Sequence, residues 1–142
     1  MNPSERYKDN PNGVITDSSH KKEWLPKDAW LDLGKWVNWN EAKDYARLMN
    51  QVYAGGFSDW RLPGKEEALS FYDAELAQTD WEDQTVHIHP IFVGKCSYLI
   101  WTSDVDDSGK AFCLNLRDGS GEYLDKTSKE DGQGARLVRD ME

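Results

Sequence analysis

Long apolar runs are missing from this chain. The longest, such as "YLIW" at 98–101, span four residues, and the opening "MNPSERYKDNPNG" is polar. A membrane-spanning helix needs about 20 consecutive apolar residues, and a secretory leader needs an apolar stretch of its own. The expectation is a soluble chain with no membrane insertion. Basic clusters are equally scarce: Lys21-Lys22 near the start, and Arg136 with Arg139 near the end. Neither approaches the roughly five to eight basic residues of a nucleic-acid patch. With a net charge of −9, nucleic acid, heparin-like polyanions and anionic membrane are disfavoured partners.

Cysteine is limited to Cys96 and Cys113. If 96–103 and 111–117 pair as a hairpin, Trp101 lies opposite Cys113. Cys96 is then displaced five residues along its strand, roughly 16 Å at about 3.3 Å per residue. A disulfide needs Cα atoms within about 7 Å, so two free thiols are expected. Catalytic signatures are missing as well. There is no G-x-S-x-G elbow and no phosphate-cradling loop, and Gly132-Gln133-Gly134 is too short to count as one. Both cysteines sit in apolar, strand-like runs where thiols are usually inert.

What is present is aromatic weight. Seven Trp, six Tyr and four Phe in 142 residues supply a core despite 30% charged residues, and the length suits one domain. Residues 1–12 read as a loose terminus. "GVITD" (13–17) and "KKEWLPK" (21–27) read as a strand and its hairpin partner, with Pro26 closing the second; 28–37 carry no clear signal. Asn38 and Glu41 form an N-cap/N3 pair opening a helix. Its apolar stripe is Trp39, Ala42, Ala46, Met49 and Tyr53, with Tyr45 alongside, and Gly55-Gly56 ends it. A second helix follows Pro63, capped by Gly64, with Glu66 and Glu67 in its first turn and Ala68, Leu69 and Tyr72 inward. Residues 77–95 read as an acidic loop with one extended piece, "TVHIHPIF". "SYLIWTS", "AFCLNL", "GEYLDKT" and "ARLVRDM" then read as short strands. Helices first and strands later give an α+β class.

Three constellations carry candidate chemistry. His87 and His89, two apart on one face of an expected strand, suit a shared metal, although a third ligand is not evident. "DVDDSG" (104–109) resembles half of an EF-hand calcium loop. Asp104, Asp106 and Ser108 hold ligand positions 1, 3 and 5, and Gly109 holds position 6. Position 12 is Asn115 instead of a bidentate Glu, so an acidic hairpin turn is the plainer expectation. Calcium in another geometry is the alternative, since clustered carboxylates repel unless neutralised. The third is Asp59-Trp60-Arg61. Trp60 and Leu62 alternate with Asp59 and Arg61 as in a half-buried strand. The expected role is scaffold, with Arg61 anchoring loop carbonyls and Asp59 orienting it.

The stretch "VNWNEAKDYARLMN…GGFSDWRLPGKEEALSFYD" resembles the helix, Gly-loop, Asp-Trp-Arg-Leu-Pro and helix signature of the Lcl C-terminal domain family. "NGVITDSSHKKEW", "YLIWTSD", "AFCLNLRDG" and "ARLVRD" resemble its remaining segments in order, so the likeness covers residues 13–140. Gly64 stands where the family usually has a Thr cap, and "HKKE" replaces an early Thr-Gly-Leu turn. The resemblance implies a C-type-lectin-like fold: two helices on a twisted antiparallel sheet with long loops, related at a distance to formylglycine-generating enzymes. The copper-binding cysteine pair of those enzymes has no counterpart here. It further implies a non-catalytic binding module for a glycan or a protein surface, in a family often envelope-associated or secreted. Trp81, Asp104, Asp106 and Asp107 are then the candidate ligand residues, and Asp104, Asp106 and Ser108 the candidate calcium ligands. The alternatives are a small metal-dependent enzyme using His87 and His89, or a relative of the formylglycine-generating enzymes that lacks their catalytic cysteines. Trp101, inside a strand motif, is expected in the core.

Overall fold

The computed structural model describes residues 6–141. Its elements are β1 (Tyr7–Asp9), β2 (Ile15–Asp17), β3 (Lys22–Trp24), α1 (Ala29–Leu33), α2 (Trp39–Gln51), α3 (Lys65–Phe71), β4 (Gln78–Thr79), β5 (Thr85–Val86), β6 (Leu99–Val105), β7 (Ala111–Asn115), β8 (Gly121–Leu124), β9 (Gln133–Gly134) and β10 (Val138–Asp140). They form a mixed α/β structure. One four-stranded sheet runs β1-β2-β3-β10 and is antiparallel throughout. A second runs β8-β7-β6-β9, antiparallel except for the parallel β6–β9 pair, and β4-β5 form a small hairpin.

The alternation of side chains along β6 and β7 divides the core in two, because successive residues of a strand face opposite ways. Ile100, Phe112 and Leu114 join Trp24, Phe71 and Phe92 on one face of the second sheet. Trp101, Ala111 and Cys113 join Val37, Tyr45, Trp60 and Leu62 on the other. Both faces are therefore covered. Trp101 is fully buried and donates its indole N–H to the Val37 carbonyl at 2.9 Å, a core role as expected. It lies opposite Cys113, which is the register the sequence suggests, and both cysteines are free.

Several expectations need correction. The terminus expected to be loose carries β1, paired with β2 and tied by an Arg6–Asp17 ion pair at 2.7 Å; residues 1–5 lie outside the described residues. Among the described residues three named α-helices are present where two were expected. The additional one, α1, is capped by Asp28, which accepts from Leu31 N, and is closed by Gly34 at φ 71°. α2 begins with the expected Asn38–Glu41 capping box but stops at Gln51. Tyr53 turns to φ 51° and is 64% exposed, so it leaves the stripe. In α3 the buried residues are Ala68 and Phe71, whereas Leu69 is exposed. The helix ends there because Tyr72 is extended. The loop at 77–95 contains the β4-β5 hairpin, and the closing strand begins only at Val138.

Candidate functional site

The acidic turn between β6 and β7 divides its carboxylates between two tasks. Asp106 Oδ1 accepts from Ser108 N, Ser108 Oγ and Lys110 N at 2.8–3.0 Å, and Gly109 at φ 86° completes the turn. The Ser108 hydroxyl and the two N–H groups hold the Asp106 carboxyl below its ordinary range. Asp104 turns the other way, its Oδ1 accepting from Lys65 N at 3.0 Å at the start of α3. Asp107 and Ser108 are exposed. Among the described residues, no three His, Cys, Asp or Glu side chains gather as a metal cluster.

His87 and His89 are also drawn apart. β5 ends at Val86, before either histidine. His87 Nδ1 lies 2.8 Å from the Leu76 carbonyl and its ring packs edge-on to Tyr72. His89 Nδ1 accepts from Ile91 N at 3.0 Å and its ring meets Tyr7. Burial, with Arg6 nearby, pushes the His89 imidazole below its ordinary value.

The Asp-Trp-Arg-Leu-Pro segment bridges β10 through Arg61 and Val138, which exchange backbone hydrogen bonds at 3.0 Å. Trp60 and Leu62 are buried on either side of Arg61, as alternation requires. The expected Asp59–Arg61 partnership is replaced by a crossed pair of contacts. Arg61 forks onto Glu67 at 2.6 and 2.8 Å and reaches Asp140, while Asp59 accepts from Arg139 Nε at 2.7 Å. Arg139 and Asp140 follow Val138 on β10, and each meets the opposite sign from the bridging segment.

Trp81 has acquired company that the sequence reading missed. Trp30 on α1 and Trp36 just after it stack with ring centroids 3.9 Å apart and planes within 9°. Trp81, in the β4–β5 turn, packs edge-on against Trp36 at 4.8 Å and lies 6.1 Å from Trp30. All three are half-buried. Trp81 Nε1 is turned inward, buried without a hydrogen-bond partner. Hydrogen bonds tie the shelf to the fold. The carboxylate of Asp28 caps α1 with one oxygen and takes both Ser97 N (2.8 Å) and Ser97 Oγ (2.6 Å) with the other. Trp81 N donates to the Cys96 carbonyl at 2.9 Å.

A polar groove adjoins the shelf through one arginine. Arg117 donates to Asp80 at 2.7 Å and Glu82 at 2.8 Å, the two residues flanking Trp81. Its guanidinium covers the Tyr98 ring at 3.7 Å. Tyr98 in turn lines a groove of about 420 Å³ with Asn115, Ser120, Glu122 and Glu130. One aromatic edge beside several hydroxyl, amide and carboxylate groups suits a ligand that is apolar on its faces and polar at its rim. The signal for Trp30 and Trp36 was local and went unused: Asp28 and Gly34 bracket the helix between them.

No curated protein matches the chain. No helix among the described residues is long and apolar enough to cross a membrane. The Lcl C-terminal domain profile matches residues 13–139, most of the chain and all the elements from β2 to the body of β10, and the chain belongs to the Lcl C-terminal domain family.

Proposed function

We propose that this domain is a non-catalytic binding module of C-type-lectin-like fold that takes a neutral carbohydrate on the Trp30–Trp36–Trp81 shelf and the adjoining groove. The observation that carries the reading is the gathering of three half-buried indoles from two chain segments, 30–36 and the β4–β5 turn. Sugar rings offer C–H faces that stack on aromatic surfaces, while their hydroxyls take hydrogen bonds at the rim. Asn115, Ser120 and Glu122 line the groove with amide, hydroxyl and carboxylate groups, which supports this reading. Net charge −9 favours a neutral sugar over a sulfated one. A protein surface is the competing ligand, and the same test separates the two.

The test is a tryptophan-fluorescence titration with neutral hexose and amino-sugar oligosaccharides, against a sulfated oligosaccharide. Saturable binding of a neutral member, weakened at least tenfold (about 1.4 kcal/mol) by Trp36→Ala and by Glu122→Gln on the exposed rim, supports the reading. Failure of every neutral sugar, or stronger binding of the sulfated one, sinks it. Repeating the titration in calcium and in EDTA reads whether Asp104, Asp106 and Ser108 take part.

A further inference from the structure

The Asp-Trp-Arg-Leu-Pro segment does more than bridge β10: with α2 and β6 it walls a second groove of about 450 Å³. This volume is in the range that holds a small organic ligand. Its floor is carbon. Trp39, Ala46, Trp60 and Leu62 line it, and their polar neighbours are already committed. Trp39 Nε1 donates to the Thr102 carbonyl and Trp60 Nε1 to the Ala54 carbonyl, both at 2.9 Å. Asn50 spends its amide on the backbone of Trp60 in both directions. At the mouth Val105 is 42% exposed, an apolar side chain left facing water.

The rim has the opposite character to the rest of the molecule. Lys43, Arg47 and Arg61 line the groove and no Asp or Glu does, in a chain with 26 acidic and 17 basic residues. The three cations are not equivalent. Arg61 is held by Glu67 and Asp140. Arg47 pairs with Asp44 at the open surface, where such a pair is weak and exchangeable. Lys43 has no carboxylate within ion-pair distance among the described residues; it lies 4.7 Å over the Trp39 ring, with Lys126 at 4.5 Å from the same ring. An ammonium without a carboxylate partner at the lip of an apolar trough is complementary to one anion carried on an apolar body.

We infer that this groove binds a small amphipathic monocarboxylate, its apolar body on Trp39, Trp60 and Leu62 and its carboxylate at Lys43. The site is separate from the tryptophan shelf and does not depend on it.

Decanoate, kept below its micellar concentration, is the probe, and decanol is the uncharged control. Decanoate is expected to quench tryptophan fluorescence saturably, with decanol at least tenfold weaker. Lys43→Gln should weaken decanoate at least fivefold, and Val105→Glu at the mouth should abolish binding, both with unchanged melting temperature. Trp81→Ala should leave decanoate affinity unaltered, which keeps this result distinguishable from the sugar reading. No saturable decanoate binding, equal binding of decanol, or affinity that survives both Lys43→Gln and Val105→Glu overturns the inference.

Discussion

Asp59 and Arg139 stand 80 residues apart in the chain, yet Arg139 Nε donates to Asp59 Oδ1 at 2.7 Å. The two ends of the bond are unlike. The Arg139 side chain is 8% exposed, also binds Glu23, and lies 3.7 Å over the Phe57 ring, whereas Asp59 is largely in water. Arg139→Ala should therefore cost about 2–3 kcal/mol, since hydrogen bonds to buried charged groups are worth most. Asp59→Asn should cost under about 1 kcal/mol, because Glu23 remains and the lost partner is exposed. Urea unfolding of the two variants measures both; equal losses would show that Asp59, not Glu23, holds the arginine.

Acid should loosen the molecule at Glu67. Burial alone would raise this carboxyl, but Arg61, the Gly64 N–H and Lys22 hold it down to about 2, against 4.5 ordinarily. A group depressed in the folded state contributes stability that is present above its unfolded value and lost as pH falls towards its folded one. Melting temperature should thus hold above about pH 5 and decline between about 4.5 and 2. Glu67→Gln should be less stable at pH 7 and show a shallower acid decline. An acid profile identical to that of the parent protein would rule out this origin.

Gly132 is required by the backbone and by the Tyr98 ring packed against it. Gly132 sits at φ 97°, and a Cβ there would lie 2.2 Å from the Tyr98 ring. Gly109 has a similar φ of 86° and open space around it. Gly132→Ala should cost about 2–4 kcal/mol from strain and overlap together, and Gly109→Ala only about 1 kcal/mol from strain. Chemical denaturation of both variants isolates the contact with Tyr98.

How much of this was legible beforehand follows the range of the interactions. The Asn38–Glu41 box was readable because a cap spans three residues; the Trp101–Cys113 register agrees with the reading even though the pairing shifts between Trp101 and Val105. β1 was missed because Lys8 and Asp9 are poor strand formers in a run of only three residues; β2 beside them supplies the pairing. Asp59 was matched to its sequence neighbour Arg61 because nothing local announces that β10 brings Arg139 and Asp140 in crossed order. The tryptophan shelf needed both a local signal, Asp28 and Gly34 bracketing α1, and the long-range approach of Trp81. Trp81 could be singled out, but Trp30 and Trp36 reach it only through α1, which the sequence left unassigned.

Helix α3 begins at Gly64, which has no side chain to cap it, and Asp104 serves from a distance by accepting from Lys65 N. Gly64→Ser has room, since the nearest atoms to a new Cβ are 3.5 Å away. It should add a few tenths of a kcal/mol, and Asp104→Ala should remove about 1 kcal/mol. Thermal melts of the two variants would check the assignment; an indifferent Asp104→Ala would remove Asp104 from the cap.

The thiols should be silent. Burial pushes Cys113 far above the ordinary thiol range, and it raises Cys96 as well, with Arg136 beside it acting in the opposite direction. A thiol reagent at pH 8 should label neither until guanidinium unfolds the chain. Rapid labelling of the native protein would contradict the packing around β6 and β7.

The position of β10 has a consequence for how the chain is made. β3 and the Trp60 segment both take their backbone partners from β10, which lies more than a hundred residues after Trp24. A ribosome therefore releases both acceptors long before the strand that satisfies them. In that interval the nascent chain carries open strand edges beside aromatic side chains, the kind of surface that invites association with other chains. Neither β3 nor the Trp60 segment completes its backbone pairing until β10 has been made.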